Sequence, residues 1–248
     1  MRAIAIVAPP YRETSGGRVV LHRLQAVLAQ AGIAAYLVPW RASLDEMQAP
    51  QPPYGRAPVC MRPDHDDIVI YPDIVRGNPF NARHVVRWQL YHPRHPVAPG
   101  DRVLYYAPAF GPGPYLRVTD PRLEVFWESV GPRDDTCWTW RKATRQGWRE
   151  SERPREGIEI TKGMSLTDTA ATFHHCRRFV TYDNATFLAV QARLCGCKVE
   201  IRSRTPVDPY LAGLVTMNPE GLRAHLIEKC AREDAAAIQT CRELLEWK

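Results

Sequence analysis

The sequence predicts an α/β protein built on two parallel sheets. Three observations predict it. Short runs dominated by apolar residues, such as Arg2–Ala8 and Asp67–Asp73, read as strands buried on both faces, the pattern of a parallel sheet. Stretches of helical spacing alternate with these runs in both halves of the chain. Gly111-Pro-Gly-Pro114 is the strongest break in the sequence, and it separates the halves.

The first half, residues 1–114, opens with the strand Arg2–Ala8. A loop, Pro9–Gly17, carries Tyr11, Arg12, Thr14, Ser15 and the pair Gly16-Gly17. A helix follows from about Gly17 to Ala31, because Val20, Leu24, Val27, Leu28 and Ala31 keep helical spacing and Gly32 supplies a stop. Ala34–Trp40 completes a βαβ unit. Ala49–Pro63 is proline-rich and reads as a loop. Asp67–Asp73 is the third strand. Asn78–Leu90 reads as a helix with Pro79 in its first turn, and Arg102–Phe110 as the fourth strand.

The second half, residues 115–248, resumes with the strand Thr136–Trp140. Ala143–Gly157 is polar and reads as loop, with a short strand at Ile158–Ile160. Ser165 and Asp168 stand at capping-box spacing and open a helix over Ser165–Cys176. Arg177–Asp183, Thr186–Cys195 and Lys198–Arg202 form a second βαβ unit, its helix stopped at Gly196. Asn218-Pro219-Glu220 starts a final helix reaching Trp247, with Arg232 a candidate break. In such a fold the ligand belongs at the carboxyl ends of the strands, in a cleft between the two halves.

Composition narrows the function. No apolar run reaches the ~20 residues a membrane-spanning helix needs, and the apolar part of the N-terminus is too short for a secretory signal. The expected compartment is the cytoplasm. Seven cysteines without paired metal spacing read as buried free thiols. The net charge of +6 is spread along the chain. It suits a nucleotide-diphosphate cleft or loose attachment to an anionic membrane surface at the inner face. Nucleic acid is not expected as a partner, since no helix-turn-helix, zinc-finger or RNA-recognition pattern is present. The glycines lack the full dinucleotide pattern, so no cofactor is expected.

Five places can carry chemistry. Ser15, Gly16 and Gly17 lie between a strand and a helix, where a backbone can approach an anion; a tight turn explains them equally well. Arg141 and Lys142 follow a strand directly and suit a diphosphate, or form a solvated basic pair. Tyr182 and Asp183 end a strand. Thr186 stands in the first turn of the next helix, where hydroxyl and N–H groups can bind phosphate oxygens. Gln191, eight residues after Asp183, can reach the same ligand from farther along that helix, although Asp183 also reads as a capping residue and Gln191 as a surface glutamine. Tyr11 and His92 are candidates for contact with the acceptor or the cleft, His92 being equally a loop histidine between prolines. His174-His175 ends a helix and reads as structural.

With these residues in hand, the chain resembles the GT-B glycosyltransferases, in particular the retaining group related to glycogen and sucrose synthases, and small bacterial glycosyltransferases of polysaccharide clusters. The resemblance rests on Ser15–Gly17, Val69–Trp88, Arg141-Lys142 and Tyr182–Ile201. It implies two Rossmann-like domains facing across a cleft. It implies a metal-independent, retaining transfer from a nucleotide-diphosphate sugar to a glycan or lipid-linked acceptor. Asp183 and Gln191 stand where that family places an E-x7-E pair. Arg141 and Lys142 would be catalytic through the leaving diphosphate, and Ser15, Gly16, Gly17, Tyr182, Asp183, Thr186 and Gln191 would bind the donor. Asp64-His65-Asp66 has the DxD form of metal-dependent relatives but precedes its strand, so no metal is implied. Two other classes compete: a non-catalytic relative that binds a nucleotide or glycan as a scaffold, and a different α/β enzyme acting on an activated sugar.

Overall fold

The computed structural model describes residues 2–48, 54–129, 131–184 and 186–247. It divides into two compact units, Met1–Asp120 with Lys229–Lys248, and Pro121–Glu228. Both are α/β, and every strand pairing in both sheets is parallel.

In the first unit, strands β1 (Ile4–Ala8), β2 (Ala35–Pro39), β3 (Ile68–Pro72), β4 (His84–Gln89) and β5 (Arg102–Tyr105) are ordered β2-β1-β3-β4-β5. The strand order reverses between β1 and β3, the position at which sheets of this kind have room for a ligand at the carboxyl ends. Helix α1 (Gly16–Gln30) joins β1 to β2, and a short α2 (Leu44–Gln48) follows β2. Alternate residues of each strand face opposite ways. Ile4, Ile6, Ile68, Ile70, Val86 and Trp88 join α1 in one buried cluster. Ala5, Val7, Val69, Tyr71 and Val85 join Tyr36, Trp40 and Phe80 in another, which contains no helical residue among those described. Asp67 ties the amino ends of the strands together, accepting from Ala3 N at 2.8 Å and from the Tyr36 hydroxyl. Burial and that hydrogen bond push the Tyr36 phenol well above its usual range.

The expected helix Asn78–Leu90 is corrected: its second half is the strand β4, buried along its whole length. The first half is a turn. The Asn78 side chain accepts from Ala82 N at 3.0 Å and donates to Ala82 O at 2.8 Å, and Asn81 takes φ 52°. The turn's backbone groups are thus satisfied without a helix, and β-branched Val85 and Val86 favour the pleated alternative. Two smaller corrections follow. The fourth expected strand ends at Tyr105, with a 3-10 turn at Pro108–Phe110. The proline-rich loop lies partly outside the described residues, but within it Val59 bridges to Leu37.

In the second unit, β6 (Asp135–Thr139), β7 (Ile158–Glu159), β8 (Cys176–Thr181) and β9 (Lys198–Ile201) are ordered β7-β6-β8-β9. Helices α3 (Leu166–His175) and α4 (Phe187–Leu194) alternate with the strands; α5 (Pro209–Thr216) was not expected from the sequence. Ser165 caps α3, its Oγ accepting from Asp168 N at 3.0 Å and donating to Asp168 Oδ2 at 2.6 Å. After α4, Gly196 sits at φ 86°, and a Cβ there would approach the Arg133 guanidinium within 2.7 Å. One sheet face packs on α3 and α4 through Cys137, Phe179, Ala170 and Val190. The other carries Trp138, Trp140, Val180 and Tyr182, covered by Ala143 and Trp148. Helix α6 (Pro219–Leu245) runs unbroken past Arg232, which corrects the candidate break. Its residues to Glu228 belong to the second unit and those from Lys229 to the first.

Candidate functional site

Strands β6 and β8 are neighbours in parallel register, Thr139 beside Thr181. Their exits therefore stand side by side, and four of the expected residues meet there: Arg141 and Lys142 after β6, Tyr182 and Asp183 after β8. Thr186 caps α4 beyond residue 185, which is outside the described set. Its Oγ1 accepts from Leu188 N at 3.4 Å, a long bond.

Lys142 holds a left-handed backbone, φ 61°. Its Nζ lies 2.9 Å from Asp183 Oδ2. The lysine is half exposed and the carboxylate is 3% exposed. Asp183 N also donates to Thr181 Oγ1 at 3.1 Å, which fixes the turn. Arg141 turns the other way, its guanidinium donating to Thr161 O. Burial holds the Arg141 pKa below its usual value. Tyr182 is a core residue, edge-on to Trp140 at 4.6 Å and to Trp148 at 5.0 Å. Gln191 is buried on α4 at 7% exposure.

Three residues around this edge carry buried N–H groups without a partner among the described residues: Trp140 Nε1, Arg141 Nε and Trp148 Nε1. A buried unpaired donor costs about 1–3 kcal/mol, so three together need an explanation. All are donors, one of them on the cation Arg141, and Lys142 is the next residue. Such a group of donors fits an oxyanion, which accepts several hydrogen bonds at once. The indoles of Trp140 and Trp148 and the guanidinium of Arg204, stacked 4.3 Å over Trp148, were not singled out in the sequence. Their signal was an aromatic and basic excess near the strand exit. A separate cavity of about 590 Å³ on the aromatic face reaches the amino end of β6, and its lining is of mixed charge, Asp134, Asp135 and Glu156 with Arg178 and Arg202.

The remaining expected residues belong to the first unit. Ser15 stands at the N-cap of α1 with no side-chain cap bond, so its helix start is not closed by its own hydroxyl. A Cβ on Gly16 would meet nothing within 4 Å, whereas one on Gly17 would meet Leu90 Cδ1 at 3.8 Å. Tyr11 packs edge-on to His22 at 5.5 Å and Tyr54 at 6.0 Å. His92 is exposed after β4, against Tyr91 at 4.9 Å and Phe110 at 5.4 Å. Asp66 of the DxD text pairs with exposed Arg83 at 3.6 Å. Among the described residues, no group of three or more His, Cys, Asp and Glu could hold a metal ion. No described helix is long and apolar enough to cross a membrane.

Comparison with protein-family models found none that matches the chain, and no curated protein matches it either.

Proposed function

We propose that the chain is a GT-B glycosyltransferase that moves a sugar from a nucleotide-diphosphate donor to a hydroxyl of a glycan or lipid-linked acceptor. The observation that carries this reading is that Lys142 and three orphaned donors, one of them Arg141 Nε, stand around the exits of β6 and β8. When the anomeric C–O bond breaks, negative charge develops on the departing diphosphate. Preplaced cations and N–H groups stabilise that charge, and stabilisation of this kind usually lowers a barrier more than any other single effect. In this reading side chains take the role that a metal plays elsewhere, and transfer proceeds with retention, as in the family the sequence resembles. The protein's positive charge also suits work at an anionic membrane surface, where a lipid-linked acceptor would be found.

A second reading rests on one observation: Lys142 is already paired with buried Asp183. A chain whose cation is spent in this way would bind a nucleotide without turning it over. One experiment addresses both. Calorimetry with UDP, GDP and dTDP should show binding, and Lys142→Ala should weaken it by at least about tenfold, the loss of one charge-assisted contact. Release of nucleoside diphosphate from the matching nucleotide sugar then marks an enzyme, and binding without release marks a scaffold. Failure of all three diphosphates to bind would dismiss both.

A further inference from the structure

Three loops of the first unit share one composition. Strands β3, β4 and β5 are parallel, so the segments that leave them start at one edge of the sheet. These are residues 74–77, 90–96 and 106–117, which read IVRG, LYHPRHP and YAPAFGPGPYLR. They hold no Asp or Glu, and no Ser, Thr, Asn or Gln. Their only polar side chains belong to three arginines, two histidines and three tyrosines. Asp73, just before the first segment, is buried, with Arg94 Nε 3.8 Å from its Oδ2.

The loops touch one another. The Phe110 ring lies 5.4 Å from the rings of both Tyr91 and His92. Tyr115 returns beside Tyr105, with Tyr105 N donating to Pro114 O at 2.9 Å and Leu116 N to Tyr105 O at 3.0 Å. Residues 107–114 therefore form a loop closed at its base. A Cβ on Gly111 would collide with the Tyr105 ring, and one on Gly113 would stand 3.0 Å from it, so the loop packs tightly there. Tyr91 is 51% exposed and Tyr115 42%, and Ile74, Arg76 and Arg94 are exposed as well. Of the eight residues 107–114, three are prolines and none is charged. A proline brings no N–H to strip of water, which lowers the cost of leaving bulk solvent. Tyrosine rings favour the level of lipid headgroups, and arginines are drawn to anionic lipid. A glycan surface would need amides, carboxylates or aliphatic hydroxyls, which these segments lack.

We propose that the exits of β3, β4 and β5 dock on an anionic lipid bilayer, with Phe110, Tyr91 and Tyr115 seated among the headgroups and Arg76, Arg94 and Arg117 facing lipid phosphates. An open loop cannot carry its unpaired backbone into the hydrocarbon, so the contact is shallow and reversible. The charge of the whole chain draws it to such a surface, and these loops fix which part of the first unit meets it. The surface stands whatever the second unit binds.

Sedimentation of the whole chain with vesicles, in the absence of nucleotide, tests this. One set is phosphatidylcholine alone, and the other contains about one-third phosphatidylglycerol. The chain should bind the anionic set and come off in about 1 M salt, where the Debye length is ~3 Å. Arg76→Ser with Arg94→Ser should weaken binding about tenfold or more, at roughly fivefold for each charge lost. Phe110→Ser should weaken it about tenfold, and exposed Tyr91→Ser gives a second probe of the aromatic contact if that variant melts early. Arg177→Ser with Lys198→Ser removes the same charge from exposed positions of the second unit and should change binding less than twofold. Absence of binding to anionic vesicles, or equal binding to both sets, would overturn the proposal. Equal losses in the two double variants would do so too, since net charge and not this surface would then be acting. Retention on heparin without binding to vesicles would mark a soluble anionic polymer as the partner, and would overturn it as well.

Discussion

Asp73 shows how one side chain can be tuned by where the backbone leaves it. The Asp73 carboxylate loses water on burial and gains in return an exposed guanidinium 3.8 Å away, the backbone N–H groups of Asp73 and Leu90, and His95. Desolvation wins, and the acid holds its proton more tightly in the folded chain than in the unfolded one. The sign of the consequence is fixed by linkage. Below the ordinary carboxyl value of 3.8 the group is protonated in both states and costs nothing. As pH rises from there through the raised folded value, ionisation erodes stability, and above it the penalty is constant. Asp73→Asn cannot ionise. Its melting temperature should match the wild type in acid and exceed it increasingly toward neutral pH, by about 2–4 °C for each ~1 kcal/mol relieved. Thermal melts of both proteins across pH 3–8 check this, and a constant difference would refute it. Residues of this kind are hard to find from sequence. Asp73 reads there as the end of a strand, and its importance depends on which strand lies beside it. Lys142 and Asp183 were legible as residue types at strand exits. Their 2.9 Å pairing was not, because it needs β6 and β8 to be neighbours.

The elements were more legible than the contacts. Eight of the nine strands stand where short runs of three to nine residues predict them, and the clearest, such as β1 and β3, are buried along their whole length and cannot hide their composition. The exception, β4, was concealed by a plausible helix start, Asn78-Pro79, ahead of residues whose spacing fits either period. What decided it was the Asn78 side chain, which closes a turn on Ala82 and hands the chain straight into the sheet. A parallel connection normally carries a helix, so the sequence offers no cue for one made by a turn. Two caps of the second unit, Ser165 and Thr186, separate stability from function. Ser165→Ala removes an N-cap with good geometry at 3.0 Å, at a cost of about 1 kcal/mol and a fall of roughly 2–4 °C in melting temperature. Nucleoside diphosphate affinity should not change. Thr186→Ala removes a cap bond of 3.4 Å, so its melting temperature should fall less, while affinity drops several-fold if the start of α4 holds phosphate oxygens. Melts and calorimetry on the two variants check this, and an unchanged affinity in Thr186→Ala would show that the start of α4 has no part in binding.

At the scale of the molecule, the chain's last segment returns to its first unit, and that return is structural. Ala237, Cys241 and Leu244 of α6 are buried in the same cluster as Ile4, Leu24 and Trp88. Asp234 pairs with Arg23 at 2.8 Å, and Glu233 accepts from Thr119 N at 3.1 Å. The Arg2 guanidinium donates to the carbonyl of Trp247, and Arg102 stacks over the Trp247 ring at 4.0 Å. The first sheet is thus finished by residues made last. A chain ending at Glu228 would expose one side of this cluster. Losing a buried leucine alone costs about 2–5 kcal/mol, and the total stability of a domain is only about 5–15 kcal/mol. Removal of Lys229–Lys248 should therefore leave the first unit unfolded or nearly so. Hydrogen exchange read by mass spectrometry gives the answer strand by strand. The amides of β1 and β3 should exchange close to the unfolded rate in the shortened chain, while those of β6 and β8 keep their protection, since the second unit's cluster draws on α6 only through Leu222 and Leu226. Protection of β1 equal to that in the full chain would mean that α1 alone suffices to cover the sheet, and that the terminal helix is an ornament of the first unit rather than a part of its core.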